Sequence, residues 1–169
     1  MVDKSILPEF DGESAYSGAL RFYDDSCSDW EYEWGKLYGS MKPTFKLFAI
    51  DAFGTAYGLL SDENVAIFWS ETGELEPIDA NLEEFLGMIL EDPYTTINYD
   101  LYISAVEHLG KPSFHEHFAF KVELALGGSL SVDNLTIMDS TKHFHSLAKI
   151  AFQINEIKVG SSIRLITRE

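Results

Sequence analysis

Between Thr44 and Asp79 the chain is cut into short apolar stretches, "TFKLFAID", "AFGTAYGLL", "VAIFW" and "LEPID", separated by Gly54, Asp62–Glu63 and "ETGE". Stretches this short cannot bury one face of a helix, which needs about ten residues or more. Their aromatic and β-branched content suits strands, and turn-forming residues at this spacing join consecutive strands into an antiparallel meander. Pro43 marks the entry to the first strand. Alternation is loose in "TFKLFAID", where Phe45, Leu47 and Ala49 oppose Lys46 and Phe48.

The period then changes. Asn81 is an N-cap for a helix over 81–91, "NLEEFLGMILE", with Leu82, Phe85, Leu86 and Ile89 on one face. Glu83 and Glu84 fall in its first turn, where the helix dipole favours carboxylates, and Pro93 stops it. "INYDLYISAVEHLG" predicts a second helix lined by Leu101, Ala105, Val106 and Leu109 and ended by Gly110. "DSTKHFHSLAKIAFQI" predicts a third, carrying Phe144, Leu147, Ala148, Ile150 and Ala151. The expected fold is α+β, a mostly antiparallel sheet with packed helices. The 169 residues suit a single domain over 1–169, with a core over 44–156. Residues 1–43 form an aromatic and acidic leading segment, partly helical and packed on the body.

The stretch "SFHEHFAFKVELALGG", 113–128, raises the question of a metal site. If 114–126 is extended, Phe114, Glu116, Phe118, Phe120, Val122, Leu124 and Leu126 share one face, and His115, His117, Lys121 and Glu123 the other. Two histidines at i and i+2 on a strand can chelate, but a site needs a third ligand. "KHFH" offers His143 or His145, only one of which can join, because i and i+2 diverge on a helix. Surface histidines are the favoured reading, and no bound metal or other cofactor is expected. Glu116 on the apolar face is either a hydrogen-bond anchor or a sign of a loop. "LGG" at 126–128 favours a turn with close backbone approach.

Charge limits the partners. Twelve Lys and Arg face 28 Asp and Glu, a net charge of −16. Residues 61–92 hold ten acids and no base, residues 1–35 nine acids and two bases, and the rest nearly balances. Such a surface repels nucleic acid and anionic lipid and speeds encounter with a basic partner; equally, it keeps a protein soluble. No apolar run approaches the roughly 20 residues of a membrane span. The first residues, "MVDKSILPEFDGE", lack the apolar core of a secretory signal, and a lone Cys27 forms no internal disulfide, so a cytoplasmic protein is expected. Nucleophile elbows, phosphate loops and dinucleotide fingerprints are missing. Cys27 sits among acids, which raises a thiol pKa rather than activating it.

The order of pieces resembles the C-terminal domain family of type VI secretion DNase-immunity proteins over residues 45–152. "AFGTAYGLL" resembles its aromatic-Gly strand pair, and "NLEEFLGMILEDP" its helix with a Phe-Leu pair entering the core. "YISAVEHLGKPSFHEHFAFKVELALGGSLSVDNLTIMDSTKHFHSLAKI" resembles its longest signature, in which Glu116 matches an acid and Leu124 to Gly128 match "LALGG". Val122–Glu123 stands where that family usually carries a proline. The resemblance implies a fold similar to the broad SUKH immunity superfamily. It also implies that Phe85, Leu86, Glu116, Leu124, Leu126, Gly127 and Gly128 define the fold rather than act in catalysis.

The implied function is to bind and neutralise a cognate secreted toxin, with a basic nuclease as the kind of toxin the resemblance points to, and with no direct nucleic-acid or membrane binding. Candidate contacts are Asp24, Asp25, Asp29, Trp30, Glu31, Glu33, Asp62, Glu63, Glu71, Glu74 and Glu76. Two alternatives stand beside it: a small metal-dependent enzyme using His115 and His117, and a regulatory or scaffold module with a non-toxin partner.

Overall fold

The computed structural model describes residues 3–23 and 34–157. One antiparallel sheet runs in sequence order through six strands: β1 (Ser14–Ala15), β2 (Leu20–Phe22), β3 (Lys46–Asp51), β4 (Ala56–Leu59), β5 (Asn64–Trp69) and β6 (Glu74–Asn81). The meander expected from residue 44 onward is β3 to β6. The leading segment differs from expectation. It adds β1 and β2 to the same sheet, with Leu20 opposite Asp51 and Phe22 opposite Ala49, besides 3₁₀ turns at Tyr16–Gly18 and Gly35–Met41. Strands of two and three residues carry too few side chains to show a period.

Among the described residues, four α-helices follow or interleave: α1 (Leu82–Glu91), α2 (Pro93–Thr96), α3 (Tyr99–Leu109) and α4 (Ser140–Glu156). A separate antiparallel pair, β7 (Glu116–Phe120) and β8 (Leu135–Asp139), lies between α3 and α4 in the chain. Asn81 caps α1 reciprocally: its Oδ1 accepts from Glu84 N at 3.1 Å, and Glu84 Oε2 accepts from Asn81 N at 2.9 Å. Pro93 does more than stop α1. It is the first residue of α2, whose N-cap Asp92 accepts from Thr95 N, as suits a residue with no N–H of its own. On α3, Leu101, Tyr102 and Ala105 are buried. Leu109 is 39% exposed, because the helix ends at Gly110 beyond the packed surface.

Both faces of the large sheet are covered. On one side Phe48, Tyr57 and Val65 pack with Phe85, Leu86 and Ile89 of α1 and with the buried face of α3. On the other, Leu47, Ile50, Ala56 and Phe68 pack with Trp34, Tyr38 and the α4 residues Phe144, Leu147, Ala148 and Ala151. Trp34 and Phe144 stack at 4.1 Å and 6°. A register shift between Leu47 and Ala49 places the consecutive residues Phe48 and Ala49 in the same core, between Leu47 and Ile50 in the other, which is why the alternation of β3 is loose. Gly58 has a packing reason: a Cβ there would fall 1.1 Å from the Phe45 ring, which lies over the bare backbone.

Buried Arg21 ties the leading strands to the small sheet. Its Nη1 donates to the carbonyls of Phe114 and Glu116, both at 2.7 Å, and its guanidinium lies 5.7 Å from the Phe114 ring centre. β6 forms one edge of the large sheet and presents Glu74, Glu76, Pro77 and Asp79 to solvent.

Phe85 is fully buried, 5.2 Å from the Tyr57 ring and 6.1 Å from Phe48. Phe85→Ala is expected to cost about 3–5 kcal/mol in denaturant melts. A loss below about 1 kcal/mol would show that α1 does not seal this core.

Candidate functional site

The small sheet answers the question raised by "HEH". β7 starts at Glu116, so His115 lies in the preceding turn, is exposed, and does not share a strand face with His117. His117 is 1% exposed, against the expectation of a surface position. It is buried because β7, like the large sheet, is covered on both faces. Phe118 joins the α1–α3 core, and the His117 ring meets Phe144 of α4 edge-on at 5.2 Å. One histidine of "KHFH" does reach it: His143, also 1% exposed, places Nδ1 3.3 Å from His117 Nδ1. His145 points away to solvent. The pairing of His115 with His117 is therefore corrected to His117 with His143. Among the described residues, no three or more His, Cys, Asp or Glu gather as a metal would require.

Glu116 is not buried in apolar surroundings. Its Oε2 accepts from Ser113 N at 2.9 Å, and hydrogen bonds to Ser113 hold its pKa below the ordinary value. Of the two readings left open for it, this is the anchor: it closes the turn that leads into β7.

The extended reading of 114–126 fails after Phe120. Residues 121–134 form a tied loop. Val122 N donates to Asn134 Oδ1, and Asn134 Nδ2 donates to the carbonyls of Val122 and Ser129. Leu124–Leu126 is a 3₁₀ turn ended by Gly127 at φ +88°, and the N–H groups of Leu126 and Gly128 both donate to Glu123 O. A Cβ on Gly128 would lie 1.8 Å from Val122 O, so only glycine fits. The double glycine signals the break in the strand. Periodicity alone missed it, and with it the inward turn of Glu123.

Glu123 is 6% exposed and lines a cleft between this loop and the β5–β6 turn. Phe53, Trp69, Glu71, Phe120 and Leu130 share the lining. Glu71 Oε2 accepts from Ala125 N at 3.1 Å and locks the two loops together. The cleft encloses ≈ 70 Å³, far below the roughly 300–1,000 Å³ of a site that swallows a metabolite. Burial, and secondarily the charge of Glu71, push the Glu123 carboxyl up to about 8. Beneath the cleft, a Cβ on Gly54 would meet His143 Cε1 at 3.2 Å. Burial holds His143 down at about 4, and burial with the neighbouring His143 and Arg21 charges lowers His117 well below its usual range. Asp51, 1% exposed, is raised to about 6 by burial despite accepting from Phe53 N and Thr55 N, both at 2.9 Å.

The acidic candidates do not form one patch. Asp24, Asp25, Asp29, Trp30, Glu31 and Glu33 lie outside the described residues. Asp62 and Glu63 are exposed in the β4–β5 turn, at the end of the sheet where Asn64 opposes Asn81 and α1 begins. Glu71, Glu74 and Glu76 lie at the other end of β5, a six-residue strand and so about 17 Å away. There Glu76 Oε2 accepts from Trp69 Nε1 at 2.8 Å.

Residues 79–151, which run from the end of β6 into α4, match the family described as T6SS immunity protein Tdi1, C-terminal. The matched stretch contains α1, α3, the small sheet and the double-glycine loop. No curated protein matches the chain. Among solved structures, the chain is similar to Atu4351 from Agrobacterium tumefaciens. The TM-score is 0.51 at 15% identity, over 79% of this chain and 67% of that one, a likeness of fold. The α+β arrangement is thus shared with a known structure. No helix among the described residues is long and apolar enough to cross a membrane.

The buried titrations oppose one another. A histidine held neutral by burial costs stability as pH falls below its ordinary 6.5, until it protonates in the fold at about 4 for His143. A carboxyl held protonated has the reverse sign: the stability Glu123 confers is full below 4.5 and is lost as pH rises to about 8. Glu123→Gln should therefore match the wild type near pH 4.5 and become progressively more stable than it up to pH 8 in urea titrations. A constant difference across that window would show that Glu123 is not held protonated.

Proposed function

From the match of residues 79–151 to the T6SS immunity protein Tdi1 C-terminal family, we infer that this chain is an immunity protein. It binds a cognate secreted toxin and blocks it by occupancy rather than by chemistry. The observation that carries the reading is that match. Within the matched stretch, Phe85 and Leu86 are buried in the core and Gly128 lies against Val122 O, which supports a structural role for them.

The charge supports a basic partner. Ten acids and no base over 61–92 would complement a nuclease groove built to hold phosphate. Action in the cytoplasm, where an incoming nuclease would meet its substrate, fits this role. The regulatory-module reading shares the fold but leaves the family match without a purpose. For the enzyme reading, the exposed His115 and the buried His117 cannot hold one ion together.

If the adjacent gene encodes a toxin, co-expression with it is expected to restore growth of a susceptible host. Pull-down should recover a complex of the two chains. Paired reversals Asp62→Lys/Glu63→Lys and Glu74→Lys/Glu76→Lys, all at exposed positions, should slow association about tenfold at low salt and leave thermal stability nearly unchanged. Because the two pairs sit at opposite ends of β5, the one that slows binding more locates the toxin. Unaltered association rates in both would reduce the acidic surface to a solubility device, and failure to protect would end the immunity reading.

A further inference from the structure

The cleft at Glu123 has the features of a receptor for one charged side chain. We propose that it takes a single arginine or lysine of the partner protein, with Glu123 and Glu71 as its counter-charges and Trp69 and Phe120 against its aliphatic stem. The identity of that partner rests on the immunity reading; the chemistry of the cleft does not.

Three observations converge. Glu123 is 6% exposed and lines the cleft beside Glu71, and its oxygens are not among the fully enclosed polar atoms left without a partner, so they open onto the cleft. A carboxyl set this deeply is costly to ionise unless a cation completes it. In the free chain a proton does so, since burial and Glu71 push Glu123 up to about 8.

The loop presenting it is fixed. Gly128 packs on Val122 O, the Asn134 side chain pins Val122 and Ser129, and Glu71 holds Ala125 N. The backbone of Glu123 is therefore held beside the cleft.

The walls suit a cation. Phe53 and Phe120 stack at 6.0 Å and 22°, and Trp69 is 38% exposed, with its Nε1 committed to Glu76 Oε2 at 2.8 Å. Aromatic faces beside carboxylates favour a guanidinium or ammonium over a neutral group. The ≈ 70 Å³ of space admits the end of one side chain and little more. Leu130, 56% exposed at the rim, supplies an apolar collar.

Among the described residues, the titratable groups that interact with Glu123 are Glu71 and Tyr38. Burial raises the Tyr38 hydroxyl, which stays protonated and donates to Ser70 O at 2.7 Å. Entry of a cation should therefore release the proton of Glu123 and leave Tyr38 unchanged.

The test uses the full chain and N-acetyl-arginine amide as the probe, followed by carboxyl-detected NMR of Glu123. Saturable binding that lowers the midpoint of Glu123 by a pH unit or more is expected. N-acetyl-glutamine amide, the neutral control, should leave it in place. Glu123→Gln, nearly isosteric, should weaken the probe at least tenfold. Glu71→Gln, whose amide oxygen can still accept from Ala125 N, should weaken it at least threefold and serves if the first variant folds poorly. Equal binding of the neutral control, wild-type affinity in both variants, or a shift with calcium chloride but none with the arginine probe each overturns the proposal. A chain that takes the probe at Glu123 yet protects against no toxin loses the immunity reading and keeps the cleft. One that protects but ignores the probe keeps the first and loses the second.

Discussion

An antiparallel sheet buried on both faces cannot be encoded by strict alternation, and this constraint governs the rest of the chain. Each strand of β3, β4 and β5 places apolar groups up and down: Phe48 and Leu47, Tyr57 and Ala56, Val65 and Phe68. Covering two faces takes two sets of packing elements. α1 and α3 close one face, and α4 with the Trp34–Tyr38 segment closes the other. The chain must therefore travel from one side to the other after α3, and the small β7–β8 sheet makes that passage. Its strands are themselves wedged between the two cores, which is how a histidine comes to be buried on β7.

That passage is fastened by backbone as much as by packing. Phe118 N donates to Ala52 O at 2.8 Å, and Ala52 N donates to Ala19 O at 2.8 Å. One chain of hydrogen bonds thus links the leading strands, the end of β3 and β7. Arg21 adds a second fastening at the entrance to β7. Burying a guanidinium is costly, and here it is repaid by two carbonyl acceptors and an aromatic face.

Local signals in the sequence were sufficient where structure is local. Asn81 with Glu84 three residues on is a complete instruction for starting α1, and Gly110 for ending α3. The meander was legible because its turns carry Gly, Asp and Glu between short apolar runs. β1 and β2 were not, since strands so short owe their existence to β3 beside them. The inward turn of Glu123 was hidden for another reason. Period-2 reasoning extends a strand until something breaks it, and the breaking residue, Gly128, acts back on Val122 through a steric exclusion six residues away. The contact of His117 with His143 joins strand to helix and has no signature in either segment alone.

β6 gives the sheet an outer border of three carboxylates and a proline. Proline offers no N–H to a neighbouring strand, and like charges at close spacing repel a second copy of the same border. At the far side, β1 has only two residues to offer. Among the described residues, both borders of the large sheet are thereby poorly suited to extending its main-chain ladder, with a second copy or with an extended segment of another protein. On the proposed reading, recognition at these borders falls to side chains, so a change of partner is within reach of a few surface substitutions that leave the sheet untouched.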